Sequence, residues 1–238
     1  MIDPNASMTA LVEFQIRTDE TTMDDWLEEW QKRAQDALDA EPETTAYAAA
    51  VSLEDESCVF VCERYVRGGA SLKFHMERSS HAALNETMGA RRMTKRRVMG
   101  TGFFDVPDFG WWRRGDNTLI LSGAIIVLVG FRFGDEAQRN DFIRMSQDYA
   151  DYCWVEEPET LIYSGGIATR DADRGPDIKQ GDLILFMACT DMAAVEKHSQ
   201  EPRHLALGQQ LVKAGIEMTT TFQKTYRTTG HGFLAKAV

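Results

Sequence analysis

The feature that most constrains this chain is a tetrad that occurs twice. Glu41-Pro42-Glu43-Thr44 returns as Glu157-Pro158-Glu159-Thr160, 116 residues later. Tyr47 and Tyr163 keep that separation. His75 and His81 return as His198 and His204, both 123 residues later, and an insertion at residues 171–181 accounts for the change. A chain written twice from one plan must fold into two similar units, so the repeat is read before any local element. In 238 residues there is room for two copies of roughly 110 residues, an ordinary domain size.

Each copy follows the order β-α-β-β-α-β. Residues 10–17 read as a strand. Thr22 caps a helix whose first turn carries Asp24 and Asp25, where the helix dipole favours negative charge. Trp26, Leu27, Trp30, Ala34, Ala37 and Leu38 form its apolar stripe, which assigns the two tryptophans to the core. Glu41-Pro42 ends the helix, because a residue before proline avoids the helical region. Residues 44–53 and 57–66 read as strands, 70–88 as a second helix and 99–106 as a last strand. Residues 89–115 read as irregular, with a basic run from Arg91 to Arg97 and then Trp111 and Trp112.

In the second copy, residues 122–133 read as a strand and Asp135 caps a helix. Strands follow at 159–168 and 182–189, separated by a polar insertion. Asp191 caps a helix that Pro202 interrupts, residues 216–227 alternate as a strand, and 228–238 form a tail. Residues 1–8 read as a loose terminus. The fold class is α+β: two ferredoxin-like units, at 9–106 and 122–238, joined by an aromatic and basic connection at 107–121. Strands apolar on both faces, such as residues 125–129, require the two sheets to cover each other as one intramolecular α+β barrel.

A net charge of −11 argues against a nucleic-acid partner, which calls for a basic face. The longest apolar run, residues 124–129, falls far short of a membrane span. The first 20 residues lack a basic start followed by an apolar run, so cytoplasmic residence is the expectation. Cys58, Cys62, Cys153 and Cys189 form no C-x-x-C pair and read as buried, reduced thiols. No Cys/His or Asp/His group at ligand spacing points to a metal.

Each copy resembles the antibiotic-biosynthesis-monooxygenase domain family. A helix ends in Glu-Pro-x-Thr with a Tyr three residues on. A strand ends in Glu63-Arg64-Tyr65, and the following helix carries His75 and His81, or His198 and His204. The likeness covers about residues 10–88 and 124–228. It implies a dimeric α+β barrel module, here made within one chain. It also implies a cofactor-independent oxygenase acting on a phenolic, anthrone or quinol-type aromatic polyketide of secondary metabolism, with molecular oxygen as co-substrate. The segment Phe186-Met187-Ala188 departs from the acid-containing strand end, so one copy can be active while the other is structural.

His75 and His198 are the candidate catalytic bases, since imidazole is best placed to take a phenol proton near neutral pH. They equally suit a hydrogen-bonding role between helix and sheet. On a regular helix His81 and His204 would lie about 120° around from them. Tyr47, Tyr65, Phe74, His81, Trp111, Trp112, Tyr163 and His204 are the candidate substrate contacts, with Trp111-Trp112 as a lid over a barrel mouth. The basic run is a candidate attractor of an anionic substrate. Two other readings stay open: a carrier of small aromatic ligands, and a haem protein with His198 as axial ligand. Further pairing into a homo-oligomer is compatible with all three.

Overall fold

The computed structural model describes residues 6–236. In chain order it contains β1 (Met8–Ile16), α1 (Met23–Ala40), β2 (Thr44–Ser52), β3 (Cys58–Tyr65), α2 (Gly68–Met76), α3 (Ser79–Ala90) and β4 (Thr94–Trp111). The second half contains β5 (Ser122–Phe133), α4 (Glu136–Glu156), β6 (Thr160–Ala168), β7 (Leu183–Cys189), α5 (Met192–Gln200), α6 (Pro202–Lys213) and β8 (Met218–Phe233). The strands close into one antiparallel barrel in the order β1-β3-β2-β8-β5-β7-β6-β4. Each unit contributes the ferredoxin-like order 4-1-3-2, and the barrel is intramolecular, as the repeat requires. The two sheets face each other and are also hydrogen-bonded along both edges, β2 to β8 and β4 to β6.

The local signals act as expected at the first helices. Thr22 Oγ1 accepts from the Asp25 amide at 3.0 Å while the Asp25 carboxylate accepts from the Thr22 amide at 3.2 Å, a closed capping box. Asp135 and Asp191 cap α4 and α5 by accepting from the Gln138 and Ala194 amides, each at 2.9 Å. Pro202 stands at the first turn of α6, where its missing N–H costs nothing.

Three expectations are corrected. The second helix of the first unit is not continuous over 70–88. It breaks at Glu77 and Arg78, with Arg78 extended (φ −69°, ψ 140°). No proline marks the break. Instead α3 is anchored to α1: Arg78 Nε donates to Asp36 Oδ2 at 2.8 Å and Ser80 Oγ donates to the same carboxylate at 2.5 Å. Residues 94–111 are not irregular but form one long strand, because β4 pairs first with β1 and then with β6. The strand bulges between Asp105 and Gly110 and runs past residue 106 to Trp111. Likewise β8 continues to Phe233, with an isolated bridge from Ala235 to Leu119, so the expected tail at 228–238 is mostly strand. Residues 237–238, and 1–5 of the expected loose terminus, lie outside the described residues. Met8 already belongs to β1.

The two crossings between units are built alike. Gly110 (φ +65°) and Gly232 (φ +74°) each lie against the carbonyl of the tyrosine they cross, Tyr163 and Tyr47. A Cβ there would sit 2.0 Å from that oxygen, so only glycine fits. Four residues further on, Arg114 and Lys236 reach back to the ends of α4 and α1. Arg114 donates to the carbonyls of Cys153 (2.8 Å), Trp154, Glu157 and Thr160; Lys236 donates to those of Ala37, Leu38 and Glu41. Neither helix has a basic residue in its last turn. Each therefore takes its C-terminal cation from a strand extension that crosses between the units.

The barrel interior is filled by side chains including Leu11, Phe60, Phe103, Ile126, Phe186 and Tyr226. Trp112 closes one end, packed 4.7 Å from Phe186 and donating to the Leu234 carbonyl at 3.1 Å. The insertion contributes the buried Ile178 to the same core. Two further cores lie outside the barrel, one under the helices of each unit. Among the described residues no helix is long and apolar enough to cross a membrane.

Candidate functional site

With the barrel interior filled by side chains, a space for a ligand lies under the helices of the first unit. A cavity of about 410 Å³ opens between α1, α3 and the outer face of the first unit's sheet. Its walls are aromatic. Trp26 and Trp30 stack at 6.4 Å and 14°, and Trp30 stacks on Tyr47 at 4.5 Å and 22°. Both tryptophans are core residues, as their stripe predicts, and both also line the cavity. Trp26 Nε1 is fixed by Thr94 Oγ1 at 3.2 Å.

The polar groups in this cavity are few. Glu63 on β3 sits directly opposite Tyr47 on β2, so both point out of the barrel towards the helices. Tyr65, two residues on, shares that face and donates its hydroxyl to Glu63 Oε2 at 2.5 Å. Burial, then the Glu63 charge, pushes the phenols of Tyr47 and Tyr65 well above their usual range, so both remain protonated. His81 enters from the first turn of α3, and its Nδ1 is buried without a hydrogen-bond partner among the described residues. Burial first, then the electrostatic influence of the neighbouring His75, lowers its pKa below the ordinary 6.5. At neutral pH it is an unprotonated base. Arg17 and Arg92 stand at the rim; Arg92 is the member of the expected basic run that reaches the cavity, held in the left-handed region at φ 52°. Arg91 and Arg97 lie away from it, paired with Glu29 and Asp173, and Arg92 Nη2 itself lies 3.2 Å from Glu20 Oε1.

His75 lies behind this cavity and is fully buried. Its Nδ1 is 2.8 Å from Glu41 Oε2 and 2.7 Å from Arg33 Nη2, and Arg33 also pairs with Glu41 Oε1. Burial pushes the Glu41 carboxyl up. Hydrogen bonds from His75, Thr44 and Arg33 and the charge of His75 outweigh it and hold the group at about 2. The helix break corrects the expected 120° separation of the histidines. It brings the His75 and His81 rings to 5.4 Å, edge to face, and Tyr47 and Tyr65 pack on His75 at 5.0 and 5.5 Å. Phe74 points outwards, half exposed beneath Arg78.

The second unit repeats the scaffold without the cavity's polar wall. Met187 is opposite Tyr163, where Glu63 is opposite Tyr47. Cys189 pairs with Thr160 as Tyr65 does with Thr44, and Ser146 takes the place of Trp30. Phe142, packed against Phe131 and Phe133 at 5.6 and 5.2 Å, fills the space under the helix. His198 Nδ1 is 2.7 Å from Glu157 Oε2, and its ring packs on Tyr149, Tyr163 and His204. His204 stacks on Tyr149 at 5.3 Å. Trp111 belongs to this layer, stacked on Tyr163 at 5.7 Å and donating to the Leu161 carbonyl at 3.1 Å. Of the residues expected to touch substrate, the cavity thus gathers Tyr47 and His81 at its wall and Tyr65 just behind Glu63. Trp111, Trp112, Tyr163 and His204 lie elsewhere. Glu63 was visible only as part of a strand-end motif.

No protein-family model matches the sequence, and no curated protein matches it. The fold, in contrast, has clear counterparts among solved structures. A candidate monooxygenase from Lactobacillus acidophilus NCFM superposes with a TM-score of 0.70 at 11% identity, over 97% of this chain and 99% of that one. One from Fusobacterium nucleatum gives 0.72 at 11% identity, over 98% and 95%. This chain has their fold. An anthrone oxidase-like protein shares it at a TM-score of 0.54 and 10% identity, over 96% of this chain and 94% of that one. At these identities the likeness concerns architecture, and the chemistry must be argued from the cavity itself.

Proposed function

We propose that this protein is a cofactor-independent monooxygenase of a flat, electron-rich phenolic substrate of the hydroxyanthrone class, with its active site in the first unit. The observation that carries the reading is an aromatic-walled cavity holding an unprotonated imidazole at His81, its Nδ1 without a partner among the described residues, beside a carboxylate at Glu63. The fold shared with candidate monooxygenases and an anthrone oxidase-like protein supports the same class. This moves the role of base from His75 to His81. His75 becomes the positioning residue against which His81 and Tyr47 pack.

A planar substrate enters between Trp30, Tyr47 and α3, where stacking supplies orientation. Glu63 accepts a hydrogen bond from a substrate hydroxyl. His81 takes the proton from the reacting C–H, and the delocalised anion faces Arg17 and Arg92 at the rim. One electron passes from this anion to oxygen, the resulting radicals combine to a peroxide anion, and His81 returns its proton to give the hydroperoxide. Loss of water leaves a ketone. An anthrone methylene and one oxygen molecule thus give a quinone carbonyl and one water, with both hydrogens leaving in the water. The excluded solvent protects the carbanion from reprotonation.

The test is incubation of the full chain with 1,8-dihydroxyanthrone under ¹⁸O₂. The reading expects oxygen uptake above the spontaneous rate and one labelled oxygen in the product. Tight binding with no uptake would establish a carrier instead.

A further inference from the structure

We propose that the second unit holds a divalent transition-metal site formed by Cys153, Glu157 and His198, separate from the oxygenase cavity. The two copies differ at the positions around their buried carboxylate–imidazole pair. In the first unit the buried Glu41–His75 pair is neutralised from within by Arg33, which contacts both. The same separation of 116 residues places Tyr149 where Arg33 stands and Cys153 where Ala37 stands. The second unit therefore keeps the carboxylate–imidazole pair, loses the built-in cation, and gains a thiol and a phenol at the same spot.

These groups converge. The ligand atoms of Cys153, Glu157 and His198 all lie within 4.8 Å of one another. His198 Nδ1 is 2.7 Å from Glu157 Oε2 and 4.0 Å from Cys153 Sγ. Tyr149 Oη is 3.3 Å from Glu157 Oε1 and 3.5 Å from His198 Nδ1, in position for a fourth ligand. Donors around a tetrahedral zinc sit roughly 3.3–3.6 Å apart, so the metal needs only a small opening of the imidazole–carboxylate contact and a small closing of the thiol. The three ligand residues are 0%, 4% and 6% exposed, which excludes competing water. Cys153 and Glu157 are one helical turn apart at the end of α4, and α5 supplies His198. Arg114, the cation beside them, spends its hydrogen bonds on backbone carbonyls. Thiolate, imidazole and carboxylate together select a borderline ion such as Zn²⁺ or Co²⁺ over Mg²⁺ or Ca²⁺. On binding, the thiol releases its proton to solvent, His198 keeps its proton on Nε2, and a 2+ ion balances the two anionic ligands.

The experiment is titration of the chelator-treated, reduced full chain with Co²⁺. We expect one equivalent to bind, with intense thiolate-to-cobalt absorption in the near ultraviolet, displaced by Zn²⁺. Cys153→Ser loses that absorption. A double variant, Tyr149→Arg with Cys153→Ala, copies the first unit's arrangement. It should fold and bind no cobalt. X-ray absorption of the zinc-loaded wild type should show a single sulfur neighbour, which tests the ligand set even where a variant fails to fold. Absence of the cobalt band in folded wild type, its persistence in Cys153→Ser, or a sulfur-free zinc shell would overturn the proposal.

Discussion

Replacing Arg33 by alanine is expected to destabilise the protein by about 3–5 kcal/mol, the usual loss when one partner of a buried ion pair is removed. The guanidinium is fully buried and contacts Glu41, His75 and Asp36. Without it the Glu41 carboxylate keeps its hydrogen bond from Thr44, at 2.7 Å, its contact with His75 and a more distant Arg78 Nε at 3.8 Å, but loses the buried guanidinium that pairs with it directly. Lys236 offers no substitute, because it is engaged by backbone carbonyls including that of Glu41. For a chain of this size the loss lowers the melting temperature by on the order of 10 °C. The double variant Arg33→Met/Glu41→Gln should cost less than Arg33→Ala, since no orphaned charge remains buried. Urea denaturation of the three proteins settles it. Equal stability of Arg33→Ala and wild type would mean that the cluster is not the anchor of the first unit.

The second large effect concerns turnover. His81→Gln is expected to lower kcat by roughly 10²- to 10⁴-fold, the range for loss of a positioned general base, while KM changes little because the stacking walls remain. The pH profile gives an independent readout. Burial and the electrostatic influence of the neighbouring His75 lower the His81 pKa below 6.5. The proton-accepting form therefore persists to lower pH than in free histidine. In wild type kcat/KM should rise with pH through that lowered value and stay flat above it. In His81→Gln the acid limb disappears. His75→Gln should lower stability more than activity per folded molecule. If His75→Gln abolished turnover in a folded protein while His81→Gln did not, the roles assigned to the two histidines would be reversed.

The repeat made the architecture readable. Two tetrads, two tyrosines and two histidine pairs at fixed separations required two like units, and apolar faces on both sides of the strands required them to cover each other. What stayed hidden depends on contacts between the units or between distant helices. The full lengths of β4 and β8 come from pairing with the opposite unit, which local alternation cannot reveal. The break before α3 is made by Arg78 and Ser80 gripping Asp36 on another helix, with no proline or glycine to announce it. That break decides the site, because it turns His81 towards His75 and into the cavity. The same limit applies to Cys153, whose partner His198 lies 45 residues away.

On the proposed mechanism, substrate binds under the helices of the first unit and not in the second unit or the barrel. The most direct measurement is a crystal structure of the full chain with 1,8-dihydroxyanthrone, prepared without oxygen. One planar ligand should be stacked on Trp30 and Tyr47, with its reactive carbon at His81 and a hydroxyl at Glu63. A ligand seated beside His198, or none in a crystal whose first-unit cavity is open, would contradict that placement.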